Sequence, residues 1–221
     1  MEYFSSIGSF AEKGGIFIYP IILCSIFGVA IFIQKLWYLR SSKVVPRVFL
    51  SHFYSLLNEQ RYHEAENICR QNDSSIARIG QTALQYAFAE NEQLEDRVEE
   101  TGQKETMELG RYIEALGAVS NVSTLLGLLG TIAGMIKIFN VISTKDIVNP
   151  PALAGGISEA LYTTALGLTV AIPAFIAYKF LSGRYEELIT SLEHETNRIT
   201  EYLKSLDIKT TGGKSAEKDQ T

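Results

Sequence analysis

Three long stretches without a charged residue set the pattern of hydrophobic and polar positions along this chain. They cover residues 14–34, 115–136 and 160–178, with lengths of 21, 22 and 19 residues. A helix of about 20 apolar residues crosses the hydrocarbon core of a bilayer, whereas the helices of soluble proteins keep a polar face. The pattern therefore predicts three transmembrane helices and disfavours the alternative, three buried core helices of a soluble fold.

The first stretch also has the position of a signal peptide. The residues before it include Glu2, Glu12 and Lys13, which do not form a basic leader, and no small-residue cleavage site follows it. Trp37 and Tyr38 follow instead, as is common at a membrane–water interface. We expect this stretch to remain as a membrane anchor.

Basic residues beside the three stretches predict the orientation in the membrane. One side carries eight, Lys35, Arg40, Lys43, Arg47, Lys104, Arg111, Lys179 and Arg184, and the other carries three, Lys13, Lys137 and Lys145. By the positive-inside rule, residues 35–114 and the C-terminus face the cytoplasm and the N-terminus lies outside. The expected segments are an external N-terminus (1–13), transmembrane helix 1 (14–39), a cytoplasmic helical region (40–114), transmembrane helix 2 (115–142), an external loop (143–150), transmembrane helix 3 (151–180), a cytoplasmic amphipathic helix (181–206) and a disordered tail (207–221).

Residues that are mainly apolar also recur at helical spacing outside the spans. One stripe leads into the second span and consists of Leu94, Val98, Thr101, Glu105, Leu109, Tyr112 and Leu116, and another follows the third span and consists of Leu181, Tyr185, Leu188, Leu192, Thr196, Ile199, Leu203 and Leu206. Such stripes need an apolar partner. The sequence leaves open whether they pack on each other or between identical subunits.

Composition narrows the function classes. Among 221 residues, 46% are hydrophobic and the net charge is −5, so no basic excess is present to neutralise nucleic-acid phosphates. His52, His63 and His194 are scattered without metal-ligand spacing. The tail at 211–215 resembles the end of a phosphate loop, but Ile208 stands where that motif begins with glycine. We therefore predict no enzymatic activity, no cofactor and no metal site.

Small and hydroxylated residues share one face of the second span. Ser120, Thr124, Gly127, Thr131 and Gly134 recur at steps of three and four, and Gly130 with Gly134 forms a small-xxx-small pair. Small residues let helices approach closely in lipid, so helix packing is the simplest role for Gly127, Gly130, Gly134 and, in the third span, Gly167. The hydroxyls are more numerous than packing requires, which indicates that some face water.

The third span carries an acid and a proline. Glu159, Thr163 and Gly167 lie on one helical face, and Pro173 leaves the carbonyl of Thr169 without a helix donor, so a kink or a water-accessible acceptor is expected there. An intramembrane carboxylate is by default a functional candidate. The alternative is that Glu159 lies at the headgroup level.

Three strings in these two spans carry a family resemblance. They are GLLGTIAG at 127–134, GISEALYTTALGL at 156–168 and AIP at 171–173. Together they resemble the ExbB/TolQ/MotA proton-channel family. Three spans with a helical insert between the first two are similar to the ExbB/TolQ branch, whereas MotA-like proteins have four spans and a larger cytoplasmic domain. The expected fold is an all-α integral membrane protein with three transmembrane helices, spans two and three extending into long cytoplasmic helices, assembled as an oligomeric ring.

The resemblance also implies partners and site residues. It implies a homopentamer in the inner membrane of a Gram-negative cell, with a periplasmic N-terminus, around two helices of an ExbD- or TolR-like single-span protein, and work on a TonB-like or TolA-like protein. It implies that Thr131 and Thr164 face the pore and that Glu159 is the family's glutamate. Thr163 and Thr124 are further pore candidates. Thr163 stands beside Thr164 where relatives often have Ala, so the resemblance leaves open which hydroxyls face the pore.

A proton path needs a titratable carrier near mid-membrane, and this chain has no acid at that depth. We therefore expect the partner to supply an intramembrane Asp facing Thr131 and Thr164. The expected function is that of a proton-channel subunit coupling the proton-motive force to mechanical work. The alternative is a non-conducting membrane scaffold that assembles partners through its cytoplasmic helices.

Overall fold

The computed structural model describes residues 15–87, 91–144 and 150–218, and every regular element in these ranges is helical. The helices are α1 (Ile18–Tyr38), α2 (Ser41–Val44), α3 (Arg47–Asn58), α4 (Tyr62–Arg70), α5 (Ser75–Tyr86), α6 (Asn91–Gly110), α7 (Ile113–Thr144) and α8 (Pro150–Lys218). The predicted all-α class is confirmed. The predicted N-terminal segment 1–13 and residues 145–149 of the predicted external loop lie outside the described residues.

Three stretches of helix are long and apolar enough to cross a membrane. They are Ile18–Tyr38, a window inside Gln93–Thr144 and a window inside Leu153–Ser205. Large apolar side chains on these helices are exposed, for example Phe139 at 63% and Leu161 at 64%. Exposed apolar surface on this scale is expected where lipid is the solvent. The predicted membrane protein with three spans is confirmed.

The chain divides into two compact units. The first, called the membrane unit, contains Met1–Lys35 and Tyr112–Leu181 and therefore holds most of α1, α7 and the first part of α8. The second, called the charged unit, contains Leu36–Arg111 and Ser182–Thr221. Each unit has its own buried core.

In the membrane unit, α1 packs on the other spans through small and branched residues. Ile18 and Ile21 at the start of α1 are each only 1% exposed. A Cβ atom at Gly28 would lie 3.3 Å from Val119 and 3.7 Å from Leu116, so α1 approaches α7 closely at this glycine. The absence of a side chain at Gly28 thus sets the spacing of these two helices.

In the charged unit, the two predicted apolar stripes pack within one chain. Leu94, Val98 and Leu109 of α6 are buried, as are Leu188, Leu192, Ile199 and Leu203 of α8. The Tyr185 hydroxyl of α8 donates to the Thr106 carbonyl of α6 at 3.4 Å, and the Tyr185 ring lies where a Cβ at Gly110 would be 2.8 Å away. Of the two alternatives left open by the sequence, the structure has intramolecular packing.

An ion pair and a buried thiol complete the charged unit. The Arg78 guanidinium donates to both carboxylate oxygens of Glu105 at 2.5 Å, and the Glu105 side chain is only 6% exposed. These hydrogen bonds raise the pKa of Arg78. Cys69 is buried beside Phe53 and Gly80, and burial raises the pKa of its thiol to about 12.

Two helix ends differ from the prediction. The extension of the second span is a separate helix, α6, because Tyr112 adopts φ 69°, a left-handed conformation that interrupts the helical hydrogen bonds after Gly110. The backbone of α8 runs to Lys218, beyond residue 206, where the predicted amphipathic helix ends.

Candidate functional site

Helices α7 and α8 meet along a seam of glycines in the membrane unit. A Cβ at Gly127 would lie 3.3 Å from the Cα of Thr164, and one at Gly167 would lie 2.7 Å from the carbonyl oxygen of Ser123. Backbone therefore rests on backbone at this crossing. The structure places both Gly127 and Gly167 where only glycine fits without movement of a helix.

The glycine seam continues toward the N-terminal end of α8. A Cβ at Gly134 would lie 2.8 Å from that of Ala160 and 3.0 Å from the carbonyl oxygen of Gly156. At Gly130, the side chain of Thr163 occupies the space that a Cβ would need. All four glycines that the sequence assigned to helix packing thus lie in the α7–α8 interface. Gly156, which the sequence did not single out, belongs to it too.

Two hydroxyls form hydrogen bonds between the helices. Thr164 donates to the Gly127 carbonyl at 3.0 Å, and Ser120 donates to the Ala171 carbonyl at 2.9 Å. These bonds use carbonyls that the close approach brings within reach. Ser123 Oγ is also buried but has no hydrogen-bond partner. Ser120, whose hydroxyl the sequence offered as a candidate to face water, is therefore enclosed in this interface, and so is Ser123.

Thr163 lies inside the interface and does not line an open surface of the membrane unit. Its side chain is 1% exposed, packs on Gly130, and donates to the Glu159 carbonyl at 2.8 Å. The prediction of Thr163 as a pore-facing hydroxyl needs correction, because the absence of a side chain at Gly130 draws this threonine into the seam. Thr163 and Thr164 point in different directions from α8, and spacing within this helix cannot tell which of them faces α7.

Thr124 and Thr131 remain accessible on α7. Thr124 donates to the Ser120 carbonyl at 3.1 Å, and Thr131 donates to the Leu128 carbonyl at 2.6 Å. Because each hydroxyl donates its proton to a carbonyl of its own helix, its oxygen can only accept a further hydrogen bond. Both threonines therefore present acceptors to whatever lies beside α7.

Glu159 forms an ion pair with Lys137 of the neighbouring helix. Lys137 Nζ lies 2.5 Å from Glu159 Oε1, and the two side chains are 60% and 23% exposed. Gly15, before α1, covers the same carboxylate so closely that a Cβ there would overlap it. The sequence pattern alone did not lead us to expect this pair. Opposite charges near facing ends of two antiparallel spans are the sequence pattern that identifies it.

Pro173 lies inside α8, and the helix continues on both sides of it. Its ring nitrogen cannot donate to the Thr169 carbonyl, which is therefore free to accept from elsewhere. The Thr169 hydroxyl donates to the Ala165 carbonyl at 2.7 Å. The Thr169 carbonyl thus lacks the helix donor that any residue other than proline would supply at position 173.

The comparisons with known proteins cover this helix pair and the part of the chain that precedes it. Residues 71–194, more than half of the chain, match the model of the MotA/TolQ/ExbB proton channel family. The matched range includes α7 and the residues of α8 that form the glycine seam.

Curated relatives match over different lengths. A putative biopolymer transport protein ExbB homolog of Methanothermobacter thermautotrophicus is 28% identical over 87% of this chain and 69% of its own length. Biopolymer transport protein exbB1 of Vibrio cholerae is 24% identical over 92% of this chain and 91% of its own. Tol-Pal system protein TolQ of Pseudomonas aeruginosa is 40% identical, but over 39% of this chain and 37% of its own.

Proposed function

This chain belongs to the MotA/TolQ/ExbB proton channel family and is an ExbB/TolQ-type membrane subunit that energises transport, and we propose that it forms the proton channel of an inner-membrane motor. The observation that supports this most directly is the α7–α8 pair, in which close-packed backbones present threonine oxygens and no acid at mid-depth. The motor would couple the proton-motive force to mechanical work on envelope or outer-membrane transport partners.

The missing acid defines the partner. In α7 no acid follows Glu114 before the helix ends at Thr144, and in α8 none lies between Glu159 and Lys179. Hydroxyls relay protons but do not hold a charge at neutral pH, so a proton crossing the hydrocarbon needs a carboxylate from another chain. An ExbD/TolR-like single-span protein with an intramembrane Asp supplies it in this proposal.

Thr131, Thr164 and Thr124 are assigned to the proton path. When the partner's aspartate is protonated it becomes a hydrogen-bond donor, and a threonine oxygen whose own proton is already engaged accepts that bond. When the aspartate loses its proton the bond is lost, so the partner's preferred position changes. Thr163 acts through packing, because it fills the space at Gly130.

Glu159 and Lys137 are placed at the external entrance. With the N-terminus in the periplasm and the C-terminus in the cytoplasm, the ends of α7 and α8 that carry this pair face the proton source. A carboxylate there receives a proton before the partner's acid does. A membrane potential supplies about 2.3 kcal/mol per charge for each 100 mV, so a few protons per step support mechanical work.

The assembly is proposed to be a homopentamer around two partner helices, with a TonB-like or TolA-like protein as the target of the work. The long match to an ExbB protein supports work on a TonB-like target, and the shorter match to a TolQ protein supports work on a TolA-like target. The choice between them depends on which partner genes are present.

Proton uptake by vesicles tests this function. The full chain is co-purified with its single-span partner, reconstituted, and exposed to a pH gradient with an internal pH-sensitive dye. Thr131→Val removes the hydroxyl at nearly constant shape and is expected to lower the uptake rate roughly ten-fold, the equivalent of about 1.4 kcal/mol in the barrier. Thr131→Ser keeps the hydroxyl and is expected to retain most of the rate.

Other results contradict the proposal. Equal uptake by wild type, Thr131→Val and Glu159→Ala would remove the assigned proton path. If, in addition, deletion of residues 185–206 abolished assembly with the partner, the non-conducting scaffold would be the better description. Uptake by this chain without its partner would show that no second acid is required.

A further inference from the structure

A cavity in the charged unit lies at the start of α5. Its volume is about 610 Å³. The wall is formed by the last residue of α1, by α2, by the start of α5 and by the end of α6, and it includes Tyr38, Lys43, Ser74, Lys104 and Leu109. All of these residues belong to the charged unit. This space, called the Ser74 cavity, is separate from the glycine seam of the candidate site.

Ser74 is an N-cap residue whose side chain does not cap α5. An N-cap serine normally accepts a hydrogen bond from one of the first backbone N–H groups of its helix. Ser74 is only 3% exposed, yet its Oγ has no hydrogen-bond partner in the part of the chain that the structure describes. The residue lies in the cavity wall, so its hydroxyl is left for a group that enters the cavity.

The first backbone amides of α5 are unpaired as well. The N–H groups of Ala77 and Arg78 donate to the Ser74 carbonyl at 3.1 and 3.2 Å. Those of Ser75 and Ile76 have no acceptor within the described ranges, although the two residues are 3% and 0% exposed. Buried polar groups without a partner are rare in native proteins and indicate a water or an ion that satisfies them. Three unpaired donors at one helix N-terminus indicate an anion.

Two lysines of the wall add positive charge. Lys43 of α2 and Lys104 of α6 are exposed, and neither forms an ion pair with a residue in the described ranges. With the hydroxyl and the two amides of α5 they make five donor groups. A carboxylate has about four acceptor sites on two oxygens, so a phosphate group, which has more oxygens, matches these donors better.

The acids in the wall limit how much negative charge the Ser74 cavity accepts. Arg78 binds both carboxylate oxygens of Glu105, and Glu108 accepts a hydrogen bond from the Tyr38 hydroxyl at 3.0 Å. Asp73 is the third acid of the wall. Because three acidic side chains face three basic ones around this space, it suits one phosphate group and disfavours a polyanion.

We propose that the Ser74 cavity binds a single phosphate group, with the start of α5 and the ammonium groups of Lys43 and Lys104 as its donors. A free phosphomonoester and the headgroup of a phospholipid share this chemistry. The headgroup is a possible source because Tyr38, in the wall, is the last residue of α1, which is a membrane span. The proposal does not depend on proton conduction.

Binding of inorganic phosphate to the full chain tests the proposal. The chain is delipidated in a phosphate-free nonionic detergent, and equilibrium dialysis with radioactive phosphate at constant ionic strength gives the dissociation constant. Ser74→Ala and Lys104→Gln should each weaken binding roughly five- to ten-fold, because each removes a donor to a charged oxygen. Asp73→Asn removes an opposing charge and should tighten binding about three-fold. Ser51→Ala and Lys204→Gln, in the same unit but outside the cavity wall, are matched controls and should change nothing.

Two competitors separate the sources of the phosphate group. Glycerol 3-phosphate represents a free phosphomonoester, and a short-chain phosphatidylglycerol represents a lipid headgroup, with a short-chain diacylglycerol as its phosphate-free control. Stronger displacement of radioactive phosphate by one of the two identifies that source. Comparable displacement by both means that the Ser74 cavity recognises the phosphate group alone.

Two results overturn the proposal. An absence of phosphate binding to the wild-type chain means that water alone satisfies the unpaired groups of α5. Equal binding by wild type, Ser74→Ala and Lys104→Gln means that phosphate is held elsewhere on the chain. Helix content and elution volume are checked for each variant, and Lys104→Gln, at an exposed position, keeps the test decisive if Ser74→Ala does not fold.

Discussion

The membrane unit and the charged unit are built from the same kind of helix, yet their helices pack in opposite ways. In the membrane unit, α7 and α8 touch backbone to backbone through Gly127 and Gly167. In the charged unit, α6 and the later part of α8 are held apart by buried side chains such as Leu94 and Leu192. The polar groups differ as well, since hydroxyl-to-carbonyl bonds link the first pair and ion pairs such as Arg78–Glu105 support the second unit.

Solvent explains this difference. In water, burying leucine gains about 25 cal/mol for each Å² removed from solvent, so large side chains are the efficient way to hold helices together. In lipid that gain is absent, because the acyl chains are as apolar as leucine, and close van der Waals contact between small residues takes its place. Each unit therefore has its own most damaging type of substitution.

The largest expected effect is a methyl group at the α7–α8 crossing. In Gly167→Ala the added Cβ would lie 2.7 Å from the carbonyl oxygen of Ser123, and a backbone atom cannot move aside as a side chain can. We expect a loss of about 1–3 kcal/mol in stability, read as a lower melting temperature in detergent. Gly155→Ala is the matched control in the same helix, because nothing lies within 4 Å of its Cβ position. Equal melting of the two variants would refute the role assigned to the glycine seam.

A smaller effect is expected from the buried acid of the charged unit. Glu105→Gln keeps the shape but removes the charge that Arg78 binds, and we expect a loss of about 1–2 kcal/mol, since the Arg78 side chain is 40% exposed and partly solvated. Glu100→Gln breaks the exposed Arg97–Glu100 pair of the same helix and should cost less than about 0.5 kcal/mol. Chemical denaturation measures both, and a larger loss from Glu100→Gln would invert the comparison.

The smallest effect on stability concerns the thiol of Cys69. Burial raises the pKa of this thiol from 9.0 to about 12, so in the folded protein the neutral form persists where an unfolded chain already ionises. The contribution of the neutral Cys69 thiol to the stability of the folded state is complete below pH 9 and is lost as the pH rises from 9 to about 12. At pH 8 we expect alkylation of Cys69 to be two to three orders of magnitude slower than in the unfolded chain, in a Cys24→Ser background. A native rate close to the unfolded rate would mean that this core is open to water.

The number and type of the membrane helices could be predicted from the sequence alone. Uncharged runs of about 20 residues have one stable solution in a bilayer, so α1, α7 and the start of α8 follow from composition. The stripes at Leu94–Leu116 and Leu181–Leu206 gave the buried faces of the charged unit for the same reason, because a period of 3.6 residues defines a face.

The candidate site was less accessible to such reasoning. Periodicity tells which residues share a face but not where two helices cross, and the crossing at Gly130 decides that Thr163 is buried. The pairing of Lys137 with Glu159 depends on the relative heights of two helices, which spacing within either one does not contain. The left-handed Tyr112 was equally hidden, because no glycine or proline marks that position.

Helix α8 serves both units without interruption, whereas the boundary between α6 and α7 falls at the turn near Tyr112. Each residue of an α-helix advances the chain by about 100° around the axis. A one-residue deletion near Leu181 would therefore rotate every later position of α8 out of phase with its buried face. The same deletion beside Tyr112 falls where the helix is already interrupted, so it should disturb the packing of the flanking helices less.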